Sequence, residues 1–303
     1  MYKKMLVALD GSELAELVLD YARELAGNLS LNTVVLHVYN PSEREFITMR
    51  RGYINRIAET LECQVREIQK KVGKKPEEGA LEVRAELIEG HAAEEIVRYA
   101  EKHHSDLILM ATHGRSGIKR WAIGSVVDKV VRATKRPVLV VRAKARYEIS
   151  NSMVVPLDGS RESEAAAGFI AELAIGLNSE VSLLQVLEPT YYVHTTDGHS
   201  VRVRYSSVRL EQLKDGARSY LEKVAGQLKG KGVDAVCEIR IGAVPVEIIK
   251  FADEKRTRLV AMLKRRRSAI SPLDIGSVAD KVLRRGTTPV LLFSASGRAY
   301  RKE

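Results

Sequence analysis

Cysteine is scarce, with only Cys63 and Cys237 in 303 residues. The two lie far apart without metal-ligand spacing, which argues against a disulfide framework and a zinc site and fits a reducing cytoplasm. Aromatic residues make up 5% of the chain, with a single tryptophan, so there is little material for base-stacking platforms. A net charge of +10 raises the question of nucleic acid or anionic lipid, but the cations are spread over both halves, and nucleic-acid binding is disfavoured. No apolar run approaches the roughly 18 residues of a membrane span, and Met1–Met5 runs straight into a strand-like segment, so neither a membrane nor a secreted protein is expected. G-x-S-x-G, H-E-x-x-H and C-x-x-C are all missing, which leaves the hydrolase, zincin and thioredoxin-like classes without support.

What is present is a globular composition, 45% hydrophobic and 29% charged, on a chain long enough for about two domains at roughly 150 residues each. Leu6–Ser12 (LVALDGS) returns as Val154–Ser160 (VVPLDGS), and Val35–Val38 (VLHV) as Leu183–Val186 (LLQV). Gly90 returns as Gly242, Ile123–Val126 (IGSV) as Ile275–Val278, and the Pro-Val-Leu of 137–139 as that of 289–291. A period this long is a duplicated domain, not a solenoid. The spacing predicts domains at residues 1–146 and 147–303, with the boundary in the charged stretch Arg142–Ser152.

Within each half, short apolar runs alternate with helical periodicity, the pattern of strand–helix–strand units in a parallel sheet. In the first half, strands are predicted over Thr33–Val38, Leu81–Ile88, Asp106–Ala111 and Pro137–Val141. Helices are predicted from Leu14 with Ser12 as N-cap, and over Ile54–Val72, Ala92–Lys102 and Trp121–Thr134. Each half ends in a proline-led apolar strand, which suits a sheet edge. Two such edges left open invite aggregation, so the two fifth strands are expected to pair and join the halves. A flap or hairpin is expected between Leu187 and Val208.

The segment Met110–Ser125 (MATHGRSGIKRWAIGS) joins a glycine-rich loop to a helix start. Glycines let successive N–H groups approach an anion, and a helix N-terminus favours negative charge, which together make a phosphate cradle. The spacing fits neither a Walker loop nor a dinucleotide fingerprint. A plain turn is the alternative. Asp10 could equally cap its own Asp-Gly-Ser turn, His113 could be an ordinary loop histidine, Arg115, Lys119 and Arg120 solvated charges, and Trp121 a packing anchor.

On these motifs the chain resembles the universal stress protein family, whose nucleotide-binding members carry G-x2-G-x9-G-(S/T) after the fourth strand. Ala111 stands at the first glycine, Gly114 at the second, and Gly124-Ser125 closes the motif. The resemblance runs over both halves and implies an α/β fold of two tandem open five-stranded parallel sheets, adenine nucleotide alpha hydrolase-like. It also implies ATP or AMP bound at the strand carboxyl ends, with Mg2+ as a companion of ATP, dimerisation through the fifth strand, and stress-linked regulation more than catalysis. Carried onto this chain, Ala8, Leu9, Asp10 and Val38 surround adenine and ribose. Met110, Ala111, His113, Gly114 and Arg115 line ribose and phosphates, and Gly124, Ser125 and Val126 supply N–H donors. No catalytic residue and no protein-held metal is assigned.

In the second half the helix start is kept but the nest is lost: Leu263 replaces Ala111, Arg266 replaces Gly114 and Ala269 replaces Gly117. Pro156, Leu157, Asp158, Val186, Gly276, Ser277 and Val278 mark a degenerate second site. The run Lys264–Arg267 is either a solvated face or a cationic phosphate site. Three functions compete: a nucleotide-binding stress or signalling protein whose second half is structural or regulatory, a slow ATPase or phosphotransferase, and a nucleotide-independent interaction module. Partners are the nucleotide, the other half of the chain and a second copy in a homodimer.

Overall fold

The computed structural model describes residues 3–73, 81–112, 123–142, 150–165, 167–194, 200–264 and 275–294. The chain forms two compact units, one of Met1–Tyr147 with Leu263–Glu303 and the other of Glu148–Met262.

The first unit begins with β1 (Lys4–Leu9), a one-turn α1 (Glu13–Glu16), α2 (Val18–Leu29) and β2 (Asn32–Tyr39). A 3-10 turn over Pro41–Phe46 leads into α3 (Ile47–Lys71), followed by β3 (Val83–Glu89), α4 (Ala92–Lys102), β4 (Leu107–Ala111), α5 (Ser125–Ala133) and β5 (Val138–Val141). The second unit carries β6 (Ser150–Pro156), α6 (Arg161–Ala165), α7 (Ala167–Leu177), β7 (Glu180–Leu187), the hairpin β8 (Thr190–His194) and β9 (Ser200–Arg204), α8 (Ser207–Lys229), β10 (Ala235–Ile241), α9 (Val244–Glu254) and β11 (Thr257–Leu263). The chain then returns to the first unit with α10 (Ser277–Arg285) and β12 (Val290–Phe293).

In the first unit the strands lie in the order β12-β5-β4-β1-β2-β3, parallel throughout except that β12 runs antiparallel to β5. In the second unit the order is β10-β7-β6-β11, all parallel. The fold is α/β with mostly parallel sheets, as the alternation of strand and helix patterns indicates.

Residues Leu107–Met110 of β4 and all of β5 are buried, the continuous apolar reading of a strand covered on both faces. The helices bury one stripe each: Val18, Tyr21, Ala22, Leu25 and Ala26 on α2, and Val127, Val130 and Val131 on α5. Both recur at helical spacing.

Element ends depart from expectation at several places. Helix α3 starts at Ile47, seven residues before the first apolar position read from the sequence, because the turn ahead of it is nucleated by its own capping box. Asn40 accepts from the Ser42 amide at 3.2 Å, and the Glu43 side chain reaches back to the Asn40 amide. Helix α5 begins at Ser125; Trp121 and Ala122, expected within it, fall outside the described residues. The stretch Arg142–Ser152 is not a linker throughout. Arg142 is buried and Ser150–Ser152 already belong to β6. The hairpin expected between Leu187 and Val208 is present as β8 and β9.

The β5–β12 pair sets Val290 against Val140, Leu291 against Leu139 and Leu292 against Val138. All eight residues of the two strands are buried, and covering a Val or Leu side chain is worth about 1.5–3 kcal/mol. Around this pair, each repeat's last helix is closed by a cation. Arg142 Nη1 donates to the carbonyls of Leu283 (3.1 Å), Arg284 (2.9 Å) and Gly286 at the end of α10. Lys264 Nζ donates to the carbonyls of Val131, Thr134 and Arg136 at the end of α5, each at 3.2 Å. Helix carbonyls without intrahelical partners are thereby satisfied, with charge of the favourable sign.

Candidate functional site

The connections from β1 to β2 and from β3 to β4 place their strands on opposite sides of β1. A crevice therefore opens outside the carboxyl ends of β1 and β4, the usual ligand position in an open parallel sheet. Strand β1 aligns Val7 with Leu109 of β4 and Leu9 with His37 of β2. Carried forward, these registers set Ala8 and Leu9 beside Met110 and Ala111, and Asp10 level with Val38. Burial falls off at this edge. Ala8, Leu9 and Met110 are buried, whereas Asp10, Val38 and Ala111 are half-buried.

Asp10 and Gly11 turn the chain away from the sheet. Gly11 has φ +83°, in the left-handed region that favours glycine. Asp10 Oδ1 accepts from the Ser12 amide at 3.0 Å and from Ser12 Oγ at 2.6 Å, and Ser12 Oγ accepts from the Ala15 amide at 3.2 Å. Asp10 thus shapes the turn that presents it, so the turn-capping role open at the sequence level is occupied. Over this turn stands Tyr53 of α3, whose hydroxyl donates to Glu16 Oε1 at 2.8 Å. Burial first, then that hydrogen bond and the negative charges of Glu16 and Asp10, raise the Tyr53 phenol above its ordinary range. No sequence pattern brought Tyr53 and Glu16 to this site; they meet because α3 packs against α2.

Gly124 makes the turn between β4 and α5, and its N–H, expected as a phosphate donor, is taken by the chain itself. Its amide donates to the Thr112 carbonyl at 2.7 Å, and a Cβ added there would sit 2.6 Å from that same oxygen. Only glycine lets the chain return so tightly from the end of β4 to the first turn of α5. Ser125 is exposed and Val126 half-buried at that turn, and Gly124 is the N-cap, without a side-chain capping bond. The start of α5 therefore faces the β4 end with backbone N–H groups. His113, Gly114 and Arg115 lie outside the described residues.

The second repeat keeps part of this arrangement. Asp158 Oδ1 accepts from the Ser160 amide at 3.0 Å and from Ser163 Oγ at 2.8 Å, with Gly159 at φ +80°. Tyr220 of α8 is the counterpart of Tyr53, pushed up to about 12 by burial first and then by Asp158 and Glu164. Pro156 and Val186 are half-buried and Leu157 is buried in the second unit, while Gly276, Ser277 and Val278 start α10 in the first unit. Gly276 has φ +87°, where Gly124 has φ −57°, so the same Ile-Gly-Ser-Val sequence starts its helix along a different backbone path. Lys264, placed by the sequence in a run of surface or phosphate-binding cations, is 9% exposed and bonded to the carbonyls of Val131, Thr134 and Arg136 at and just beyond the end of α5. It is therefore neither a solvated charge nor a phosphate ligand. Burial pushes its ammonium down to about 7.

A parallel sheet with helices, a switch point at β1 and β4, and a glycine-tight turn into a helix N-terminus define the class of α/β proteins that take ligands at the strand carboxyl ends. Residues 1–142 and 150–294 both match the Universal stress protein family. The chain belongs to that family, as a tandem member with two such regions. The universal stress protein MJ0531 of Methanocaldococcus jannaschii is 34% identical over 143 residues, covering 47% of this chain and 83% of its own. YxiE of Bacillus subtilis is 36% identical over 150 residues, 47% of this chain and all of its own. A universal stress protein of Archaeoglobus fulgidus, solved by crystallography, shares the fold over 96% of this chain and 98% of its own, with a TM-score of 0.63 at 20% identity. No helix among the described residues is long and apolar enough to cross a membrane.

Proposed function

We propose that the first repeat binds an adenine nucleotide, ATP or AMP, at the carboxyl ends of β1 and β4. In this reading the protein is a cytoplasmic stress-response or signalling protein whose output is a change of conformation or partner. Ala8, Leu9, Asp10 and Val38 enclose adenine and ribose. Met110, Ala111, His113, Gly114 and Arg115 follow the ribose and phosphates; Ser125 and Val126 meet the phosphates with backbone N–H groups, and Gly124, whose own N–H is held by the Thr112 carbonyl, makes the turn that presents them. Mg2+ enters as the companion of a triphosphate. The repeats correspond to residues 1–146 and 147–303, and the second is structural or regulatory.

The observation that carries the reading is the Gly124 turn. A backbone drawn to 2.7 Å from the Thr112 carbonyl, at a position where a Cβ would not fit, sets a helix N-terminus against the end of β4, and a helix N-terminus favours an anion. Calorimetric titration of nucleotide-stripped protein with ATP and with AMP tests it. One site per chain, lost in Gly114→Arg, which copies Arg266 of the second repeat, is the expected result. Two sites would mean that the second repeat also binds, and absence of binding by the folded protein would refute the reading.

A further inference from the structure

Lys264 occupies the place in the second repeat that Thr112 occupies in the first. Thr112 serves its own loop, its carbonyl holding Gly124. The Lys264 side chain instead reaches the far end of α5, where the carbonyls of Val131, Thr134 and Arg136 converge on Nζ at 3.2 Å. Three acceptors call for three N–H donors, which an ammonium has and a neutral amine lacks. Two arginines at that end are bonded to carboxylates, Arg132 to Asp128 and Asp280, and Arg136 to Glu101. Among the described residues no carboxylate pairs with Lys264. Ser294, also from the second repeat, adds a hydrogen bond from its hydroxyl to the Lys135 carbonyl at 3.2 Å.

Helix α5 is the element whose other end opens the candidate phosphate site. Its nine residues span only about 14 Å at 1.5 Å per residue. A buried cation at the negative end of so short a helix is little screened by salt and complements the aligned peptide dipoles.

We propose that Lys264 is a positioning residue through which the second repeat tunes the first: its ammonium, seated on the last carbonyls of α5, strengthens phosphate binding at Gly124–Val126. This rests on the nucleotide reading above. The divergence of the second repeat's loop then has a use, since one of its residues has left its own strand end to hold the helix of the other repeat.

The effect is specific to phosphate, which makes it separable from general damage. ATP and adenosine are titrated against the full chain at pH 6, where Lys264 is charged, in the wild type, Lys264→Met and Lys264→Arg. The expectation is that Lys264→Met weakens ATP by about two- to fivefold, the size of a single charge acting across about 14 Å at an effective dielectric of a few tens, while adenosine stays within twofold. Lys264→Arg, which keeps the charge, restores ATP binding. Should Lys264→Met fail to fold, Lys264→Gln carries the same expectation. Equal losses for ATP and adenosine, or no loss for either, overturn the proposal and leave the nucleotide site standing. A wild type that binds neither ligand overturns the nucleotide reading and this proposal with it.

Discussion

Asp128 and Asp280 occupy the same place in the two repeats, and each accepts from the same two guanidinium groups. Arg132 reaches Asp128 at 3.0 Å and Asp280 at 3.1 Å, and Arg284 reaches Asp280 at 2.9 Å and Asp128 at 2.8 Å. The four side chains close a ring of alternating charge between α5 and α10.

Because all four are about a third exposed, the ring is expected to add little for each contact, about 0.2–1 kcal/mol, and to weaken with salt. The geometry nevertheless couples the two carboxylates through shared partners. Asp128→Asn and Asp280→Asn should therefore each lower the denaturant midpoint, and the double substitution should cost more than the sum of the singles at low salt, because either carboxylate left alone still holds both arginines and the repulsion between the two is relieved only once. Additive losses at every salt concentration would mean that the ring is not a unit.

Gly124→Ala places a methyl group against a backbone oxygen that cannot step aside. A cost of about 1–3 kcal/mol is expected from the displaced turn, together with weaker ATP binding. Gly52→Ala is the matching control. Gly52 lies mid-helix in α3 with nothing within 4 Å of an added Cβ, so alanine there should stabilise by about 0.5–1 kcal/mol through lost unfolded-state freedom and better helix propensity. Thermal melts of both variants decide the point, and a tolerated alanine at 124 would remove the close-approach argument.

The buried Lys264 ammonium makes stability depend on pH in a direction opposite to that of a surface ion pair. Burial holds its folded value at about 7, below the roughly 10.4 of an unfolded lysine. Between these values the unfolded chain binds more protons than the folded one, so stability rises with pH across that window, by at most about 1.4 kcal/mol per unit. Wild type should therefore gain on Lys264→Met as pH is raised from 7 towards 10. A stability difference that stays flat across that range would show that Lys264 does not titrate there.

Arg142 closes α10 with three backbone carbonyls. Arg142→Met keeps much of the side-chain length but strands buried acceptors, for which a loss of about 2–4 kcal/mol is expected. Arg142→Lys should recover part of it, since a lysine ammonium makes the equivalent contacts at the end of α5. Chemical denaturation of both variants checks the order, and a Met variant as stable as wild type would refute the capping role.

Much of this was legible because it is local. Leu6–Ser12 and Val154–Ser160 share an Asp-Gly-Ser turn whose glycine must take positive φ, and both do so. The proline-led fifth strands announced edges, and they pair. What could not be read depends on groups that meet only after folding. Lys264 stands first in a run of four cations, and nothing in that run marks it as buried. Arg142 sits in a charged stretch that resembles a linker, yet its burial is set by α10, far along the chain. Ile123–Val126 and Ile275–Val278 are letter for letter the same, and Gly124 and Gly276 still adopt opposite signs of φ, so the four letters do not by themselves set the backbone path.

The β5–β12 ladder is supplied by one polypeptide. Two strands on separate molecules part on dilution, whereas two on a single tether meet at an effective concentration fixed by the chain between them. The tether also releases a constraint of symmetry. In a pair of identical chains every substitution appears on both sides at once, so a residue cannot become a lysine on one face alone. Within a duplicated chain one copy can keep Thr112 while the other carries Lys264 at the matching position.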